Sequence, residues 1–424
     1  MIKIYNTKNI TIDAILSREN TAVDSTIEKT VADILLDVKN KGDEALLYYS
    51  QKFDGANITS LKVTKEEILE GYNQTDKAFI DTLAIAKENI EAFHKMQLPK
   101  GYEIKKENGA VVGQRVIPLQ SVGLYVPGGT ACYPSSVLMN AIPAIIAGVS
   151  KIIMVTPPNK EGKIDSKILA AAYILGVDKI YKIGGAQAIG ALAYGTQTVP
   201  KVDKIVGPGN IYVATAKKQV FGLCDIDMIA GPSEILIIAD EQNKKEYLAA
   251  DMLGQAEHDK KASAVLLTTS LSLAEEVKAE IEKQLATLPR QEIARQAIEN
   301  NGKIIVVSSI EQAIEIANII APEHLELCLK SPFDYLNKIS NAGSVFLGEF
   351  SPEALGDYLA GTNHTLPTNG TARFSSPLSV EDFIKRSQYI YYTKEALMPI
   401  ADNIILFAER EGLAAHGNSV KVRK

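Results

Sequence analysis

The histidines of this chain are few and oddly placed. Five occur in 424 residues, and four stand in polar surroundings in the second half. They lie in Gln255-Ala-Glu-His258-Asp, Pro322-Glu-His324-Leu-Glu, Gly361-Thr-Asn-His364 and Ala415-His416-Gly. The fifth, His94, closes an expected helix and reads as a surface residue. Gln255 and His258 are three apart at a helix end, so they share a face. Together with Asp357, in Leu355-Gly-Asp-Tyr, and His416, they form a mixed nitrogen and oxygen set that suits zinc or a similar divalent ion. By spacing alone the signal is weak. Gln-x-x-His is more often a structural pair, Asp357 reads as part of a glycine-containing loop, and His416 as a solvated end residue.

Glu323 and His324 follow Ala321-Pro322. Proline suits the first position of a helix, so the two side chains are expected to project from one helix start. An imidazole can take a proton from an alcohol, and a neighbouring carboxylate can activate water. A capped turn with two surface polar groups fits the same residues. Gly207-Pro-Gly-Asn210 follows an expected strand and opens a helix, where backbone N–H groups could meet a phosphate. It is not the dinucleotide fingerprint, and a plain tight turn accounts for it equally well. Tyr125, Gln187 and Asn210 each fall at a strand end and could border one crevice. Cys132 has no basic partner in its sequence neighbourhood and reads as a small buried residue.

These residues need elements to hold them. The first hundred residues read as helical, over 25–51 and again through 79–93, with Phe53-Asp-Gly-Ala as a loop between. From about residue 121 short apolar runs, 122–126, 152–156, 179–183 and 202–206, alternate with helices near 136–147, 166–175, 187–194 and 212–221. That rhythm argues for parallel βαβ units, with glycine-rich turns at the carboxyl ends of the strands, where ligands sit in open α/β sheets. A second block follows, with strands at 235–239, 264–268, 304–307 and 344–347 and helices near 244–258, 272–286 and 310–320. No internal sequence repeat links the blocks. From about residue 377 the chain reads as an appendage ending in a helix around 395–411. It is too small to bury a core of its own, and docking on a partner subunit would cover it.

Bulk properties exclude several classes. Apolar residues make up 46% and charged residues 23%, which suits a globular α/β protein. The net charge is −6 and no basic run is dense, so no nucleic-acid partner is expected. The longest apolar stretch, 136–149, is short and interrupted by Asn140 and Pro143, so no membrane span is expected. The N-terminus lacks the apolar core of a signal peptide. Three widely spaced cysteines, Cys132, Cys224 and Cys328, form no disulfide framework, which fits a reducing cytoplasm.

Taken jointly, eight segments resemble the histidinol dehydrogenase family, in its order and over most of the chain. They are Gly123-Leu-Tyr-Val-Pro-Gly-Gly, Tyr133-Pro-Ser-Ser-Val-Leu-Met-Asn, Gly184-Gly-Ala-Gln-Ala-Ile, Val206-Gly-Pro-Gly-Asn, Ile229-Ala-Gly-Pro-Ser-Glu-Ile, Gln255-Ala-Glu-His-Asp, Ala321-Pro-Glu-His-Leu-Glu and Gly356-Asp-Tyr-Leu-Ala-Gly-Thr-Asn-His-Thr-Leu-Pro-Thr. So many long motifs together outweigh the bland reading of each. A small departure is Lys260-Lys261, where many relatives carry proline.

The resemblance implies one zinc ion per subunit on Gln255, His258, Asp357 and His416, with Glu323 and His324 as acid-base residues. It implies NAD contacts at Tyr125, Gln187 and Asn210, and substrate contacts at Ser233, His364 and Glu411 beside His324 and the zinc ligands. The implied reaction takes L-histidinol through the aldehyde to L-histidine, the last steps of histidine biosynthesis, with two NAD reduced. The implied architecture is two incomplete Rossmann-like units plus a C-terminal appendage swapped in a homodimer. The expected division is an arm at 1–21, a first α/β domain at 22–120 and 234–377, a second at 121–233, and the appendage at 378–424. Three other activities are weighed against this reading: a dehydrogenase of a related amino alcohol, a zinc hydrolase, and a non-catalytic protein of the same fold.

Overall fold

The computed structural model describes residues 1–8, 25–128 and 132–424; most of the expected N-terminal arm lies outside them. Two parallel sheets organise the chain. One has the order β1 (Lys3–Asn6), β11 (Lys303–Val306), β10 (Ser263–Thr268), β9 (Glu234–Ala239), β12 (His324–Cys328), β13 (Ser344–Leu347). The other has the order β6 (Ile180–Lys182), β5 (Lys151–Thr156), β4 (Ser121–Tyr125), β7 (Lys204–Val206), β8 (Asp225–Ile226). All these pairings are parallel. In both sheets the chain starts centrally, winds outward twice, then crosses to the other side. This is the strand order of an incomplete Rossmann unit, with β1 added at one edge of the larger sheet. Strands β4, β9 and β12 are buried along their whole length, as parallel strands covered on both faces must be.

A third, antiparallel sheet joins β2 (Tyr102–Lys105), β3 (Val111–Pro118) and β14 (Ile384–Tyr391). It ties the start of the C-terminal appendage to residues 102–118 of the same chain. Beyond it, helices Lys394–Arg410 and Ala414–Lys421 pack on each other around Ala401, Ile405 and Val420. Leu406, Phe407 and Val422 remain exposed, Phe407 at 72%.

Packing corrects several expectations. Residues 22–120 were expected to join 234–377. Instead the helices Ser25–Lys41 and Asp43–Tyr49 cover one face of the five-stranded sheet, where Val31, Leu35 and Leu46 meet Ile153 and Ile205. Helices Lys65–Gln74 and Lys77–Lys95 help cover the other face, where Ile68 and Ile90 share a core with Leu124 and Met154. The single helix expected over 25–51 is broken at Gly42, whose φ of +59° an L side chain rarely adopts. The loop expected at Phe53-Asp is the end of a π-helical turn, Ser50–Asp54, closed by Gly55 at φ +65°. His94 is buried rather than on the surface. Its Nδ1 pairs with Gln97 Oε1 at 2.6 Å, and Asn363 Nδ2 lies 3.4 Å from its Nε2. No helix among the described residues is long and apolar enough to cross a membrane.

Candidate active site

The expected acid-base pair, Glu323 and His324, stands at the start of a strand, not of a helix. Helix Ile310–Ile320 ends at Ala321, held in the left-handed region at φ +51°, and Pro322 cannot continue it. The chain then enters β12 at its amino end, with Glu323 just before it and His324 as its first residue. Both reach the neighbouring strand β9. Glu323 Oε2 accepts from the Glu234 backbone N–H at 2.8 Å, and His324 Nδ1 lies 3.0 Å from the Glu234 carbonyl oxygen. A carbonyl only accepts, so Nδ1 carries the proton and donates. The lone pair is therefore on Nε2, which is buried and without a hydrogen-bond partner. Glu353 Oε1 lies 3.7 Å from it and Asp357 Oδ1 4.0 Å.

Helices deliver the remaining groups to this same edge. Helix Lys245–Ala256 runs back antiparallel to the strands, so its carboxyl end brings Gln255 and His258 to the amino edge of the sheet. Gln255 is fully buried, and its amide donates to the Glu353 carboxylate while accepting from Glu234 N–H at 2.9 Å. Asp357 sits in a short helix, Glu353–Tyr358, rather than a loop. Gly356 misleads at this point. Its missing side chain makes room for the Phe346 ring, which a Cβ would meet at 2.6 Å, and that ring packs 5.9 Å from the His324 ring. Ser233 lies one residue before β9, at the same edge.

Electrostatics mark the place. Burial pushes the Glu323 carboxyl well above the usual range, opposed by the Glu234 N–H and reinforced by nearby carboxylates. Glu353 is raised by burial and then by Asp357 and Glu323. Burial lowers His324 to about 4, against the pull of Asp357, so its imidazole is neutral at pH 7. His364 is lowered by burial too. Such crowding of carboxyls and imidazoles with displaced titration is typical of chemical sites.

His258, Glu353 and Asp357 each place a ligand atom within 4.8 Å of the others. One imidazole and two carboxylates suit a divalent cation, whose charge would offset the mutual repulsion of these acids. Glu353 was not anticipated from the sequence. Its spacing of four from Asp357 was the available signal. His416 and Glu411 do not join the group in this chain. Both are exposed, His416 on helix Ala414–Lys421 and Glu411 at the end of helix Lys394–Arg410.

The five-stranded sheet faces this site with its carboxyl edge. Helix Pro134–Ala147 begins just beyond β4, and its Ser136 Oγ lies 3.4 Å from His364 Nε2. His364 Nδ1 in turn lies 3.2 Å from the Asp357 carbonyl oxygen. At this carboxyl edge Tyr125 OH accepts from Gly185 N–H at 3.1 Å, and Gly207 passes so close that a Cβ would strike the Tyr125 carbonyl. Gln187 is buried beside Gly185, its Oε1 without a hydrogen-bond partner. Asn210 caps helix Ile211–Val220, its oxygen accepting from Tyr212 and Val213 N–H. Cys132 is half-buried, its thiol pushed up to about 12 by burial, which leaves it unreactive as a nucleophile.

The model of the histidinol dehydrogenase family matches residues 16–424. The chain belongs to the histidinol dehydrogenase family. It is 59% identical over 397 residues to the histidinol dehydrogenase of Clostridium acetobutylicum, covering 94% of this chain and 92% of that one. It is 53% identical over 407 residues to the histidinol dehydrogenase of Bacillus cereus (strain ATCC 14579), covering 96% and 95%. The crystal structure of histidinol dehydrogenase from Elizabethkingia anophelis superposes with a TM-score of 0.92 at 41% identity, covering 100% of this chain and 98% of that one. Membership places the chain among the oxidoreductases of histidine biosynthesis.

Proposed function

We propose that the chain oxidises L-histidinol through histidinaldehyde to L-histidine, reducing two NAD, with one zinc ion per site, as a cytoplasmic homodimer. The observation that carries this reading is His324. Its imidazole is buried, neutral, fixed by Glu234 through Nδ1, and open at Nε2 toward Glu353 and Asp357. A base toward an alcohol needs that arrangement.

Gln255, His258 and Asp357 would hold zinc together with the partner subunit's His416, and bound zinc would orient the substrate's amine and imidazole. NAD would lie along Tyr125, Gln187 and Asn210 and supply the hydride acceptor. His324 Nε2 takes the alcohol proton in the first oxidation. Ser233, His364 and the partner subunit's Glu411 keep the aldehyde in place. Glu323, anchored through Oε2 on Glu234 N–H, takes a proton from the water that adds to the aldehyde. His324 then serves again as base for the hydrate.

The appendage supports the dimer. Its helices carry exposed Leu406, Phe407 and Val422, and its Glu411 and His416 lie outside the site of their own chain. Crossing to a second copy covers the former and completes the site with the latter.

The deciding experiment counts NADH formed per histidinol consumed on zinc-loaded protein, then repeats it after chelation. Two NADH, lost on chelation and restored by zinc, support the whole reading. One NADH would remove Glu323 from its role, and none would return the related alcohol or the hydrolase as better readings.

A further inference from the structure

The site is assembled from three separate elements, and Glu326 touches all three. It lies two residues beyond His324 on β12, so both side chains leave the same face of the strand. It is 1% exposed and takes no part in the mechanism above. Its Oε1 accepts from the Glu353 backbone N–H at 2.9 Å. Glu353 opens the six-residue helix that presents Glu353 and Asp357. That helix is preceded by Pro352, which has no side-chain oxygen to cap it. Glu326 supplies the cap from a different element, to a helix too short to hold itself.

On its other side the Glu326 carboxyl lies within hydrogen-bonding reach of the carboxyl of Asp251. Asp251 belongs to helix Lys245–Ala256 and stands four residues before Gln255, one turn along the same face. Two carboxyls bond to each other only by sharing a proton. For stability alone, apolar packing would fill this space at least as well. What the acids provide is direction, since hydrogen bonds fix angles that apolar contacts leave free.

We propose that Glu326 and Asp251 are positioning residues for the reaction: their paired carboxyls tie both ligand-bearing helices to the strand that carries His324. The inference rests on the reading of this site as the histidinol-oxidising centre. Glu326→Gln keeps an acceptor for Glu353 N–H and offers an amide N–H to Asp251. Glu326→Leu keeps the volume and removes both bonds, together with the weak 4.0 Å contact from Cys328 Sγ. Asp251→Ala, at a half-buried position, removes the second bond alone.

The test compares the three variants with the parent, as zinc-loaded full chains, by steady-state kinetics with histidinol and NAD. Chelator competition for zinc and amide hydrogen exchange of residues 353–358 are measured beside it. Expected for E326L is a fall of about 100-fold in kcat, the scale of a misplaced group, with a smaller change in histidinol KM. Its zinc binding should weaken and its 353–358 amides exchange faster. E326Q should restore kcat to within about threefold of the parent, because it rebuilds both bonds. D251A should fall between them. A folded E326L, or D251A should E326L not fold, matching the parent in kcat, zinc binding and exchange would overturn the proposal. E326Q as damaged as E326L would do so too, because a restored bond would then restore nothing. A parent that makes no NADH from histidinol would instead sink the functional reading, and the exchange data would still report whether Glu326 holds the helix.

Discussion

His324 Nδ1 lies 3.0 Å from the carbonyl oxygen of Glu234, and this contact decides which nitrogen can act. The donated proton fixes the tautomer and aims the lone pair of Nε2 into the group formed by Glu353 and Asp357. Replacing His324 with Asn keeps a polar group but loses the base at the Nε2 position. Both half-reactions should then slow by about 100- to 10,000-fold, the usual worth of a positioned general base. Separate assays starting from histidinol and from histidinaldehyde would show this, and unchanged alcohol oxidation would remove His324 from the chemistry.

Glu323 should divide the two steps. It is anchored by Glu234 N–H, and the proposed role puts its work in the addition of water to the aldehyde. Glu323→Gln should slow aldehyde oxidation by at least about 100-fold and alcohol oxidation by less than about tenfold. Burst kinetics should show one fast NADH and one slow. Equal loss in both steps would mean that Glu323 does something other than activate water.

Lys217 and Asp227 form a buried ion pair that grips Gly207 in the turn after β7. Lys217 Nζ donates to the Gly207 carbonyl at 3.0 Å, and Asp227 Oδ2 accepts from Gly207 N–H at 2.7 Å. Lys217 is 2% exposed, so water cannot replace it. Lys217→Met leaves Asp227 buried and unpaired and should cost about 3–5 kcal/mol of stability. Adding Asp227→Asn should recover part of that. Urea unfolding of the single and double variants reads the cost, and the KM for NAD should rise in both as Gly207 loosens.

Asp54 offers a pH test away from the catalytic group. Burial raises its carboxyl to about 6 from an unfolded value near 3.8. The folded state therefore holds this proton more tightly. The stability it contributes is fully present below pH about 4 and is lost as pH rises through 6. The side chain is partly open to solvent, so the swing should be only about 1 kcal/mol. Asp54→Asn should thus gain stability over the parent at pH 8 and gain clearly less at pH 4.5. Thermal melts at both pH values would show it, and an equal offset at both would mean that titration is not the cause.

Much of this fold was legible because parallel strands and their crossover helices leave a coarse, repeated mark. The helices Ser166–Leu175 and Ile310–Ile320 and the strand Ser344–Leu347 stand where the pattern placed them. Strand β12 did not show itself, because a strand buried on both faces has no alternation and Pro322 resembles a helix start. Asp357 read as a loop residue because Gly356 looks like a breaker, when its role is to admit Phe346. The N-terminal helices gave no hint of which sheet they cover, since an amphipathic face names no partner. The placement of His94 depended on Asn363, far along the chain, and was out of reach for the same reason. Glu323, His324, Gln255, His258 and Asp357 converge at one edge of the six-stranded sheet, whereas His416 and Glu411 do not.

That last separation can be tested by mixing subunits. If the appendage crosses to a second copy, each site takes His258 from one chain and His416 from the other. A heterodimer of one His258→Ala chain and one His416→Ala chain would then hold one site with both lesions and one site with neither. Purified through two different affinity tags, it should show about half the activity of the parent dimer, although each homodimeric variant is inactive. If the tail folded back on its own chain, every site would carry one lesion and the heterodimer would be as dead as its parents. Phe407→Lys separates assembly from ligation. It places a charge on the most exposed part of the apolar helix face, so it should yield monomers that keep His258, Glu353 and Asp357 intact yet turn over nothing. An active monomer would show that one chain can complete the site alone.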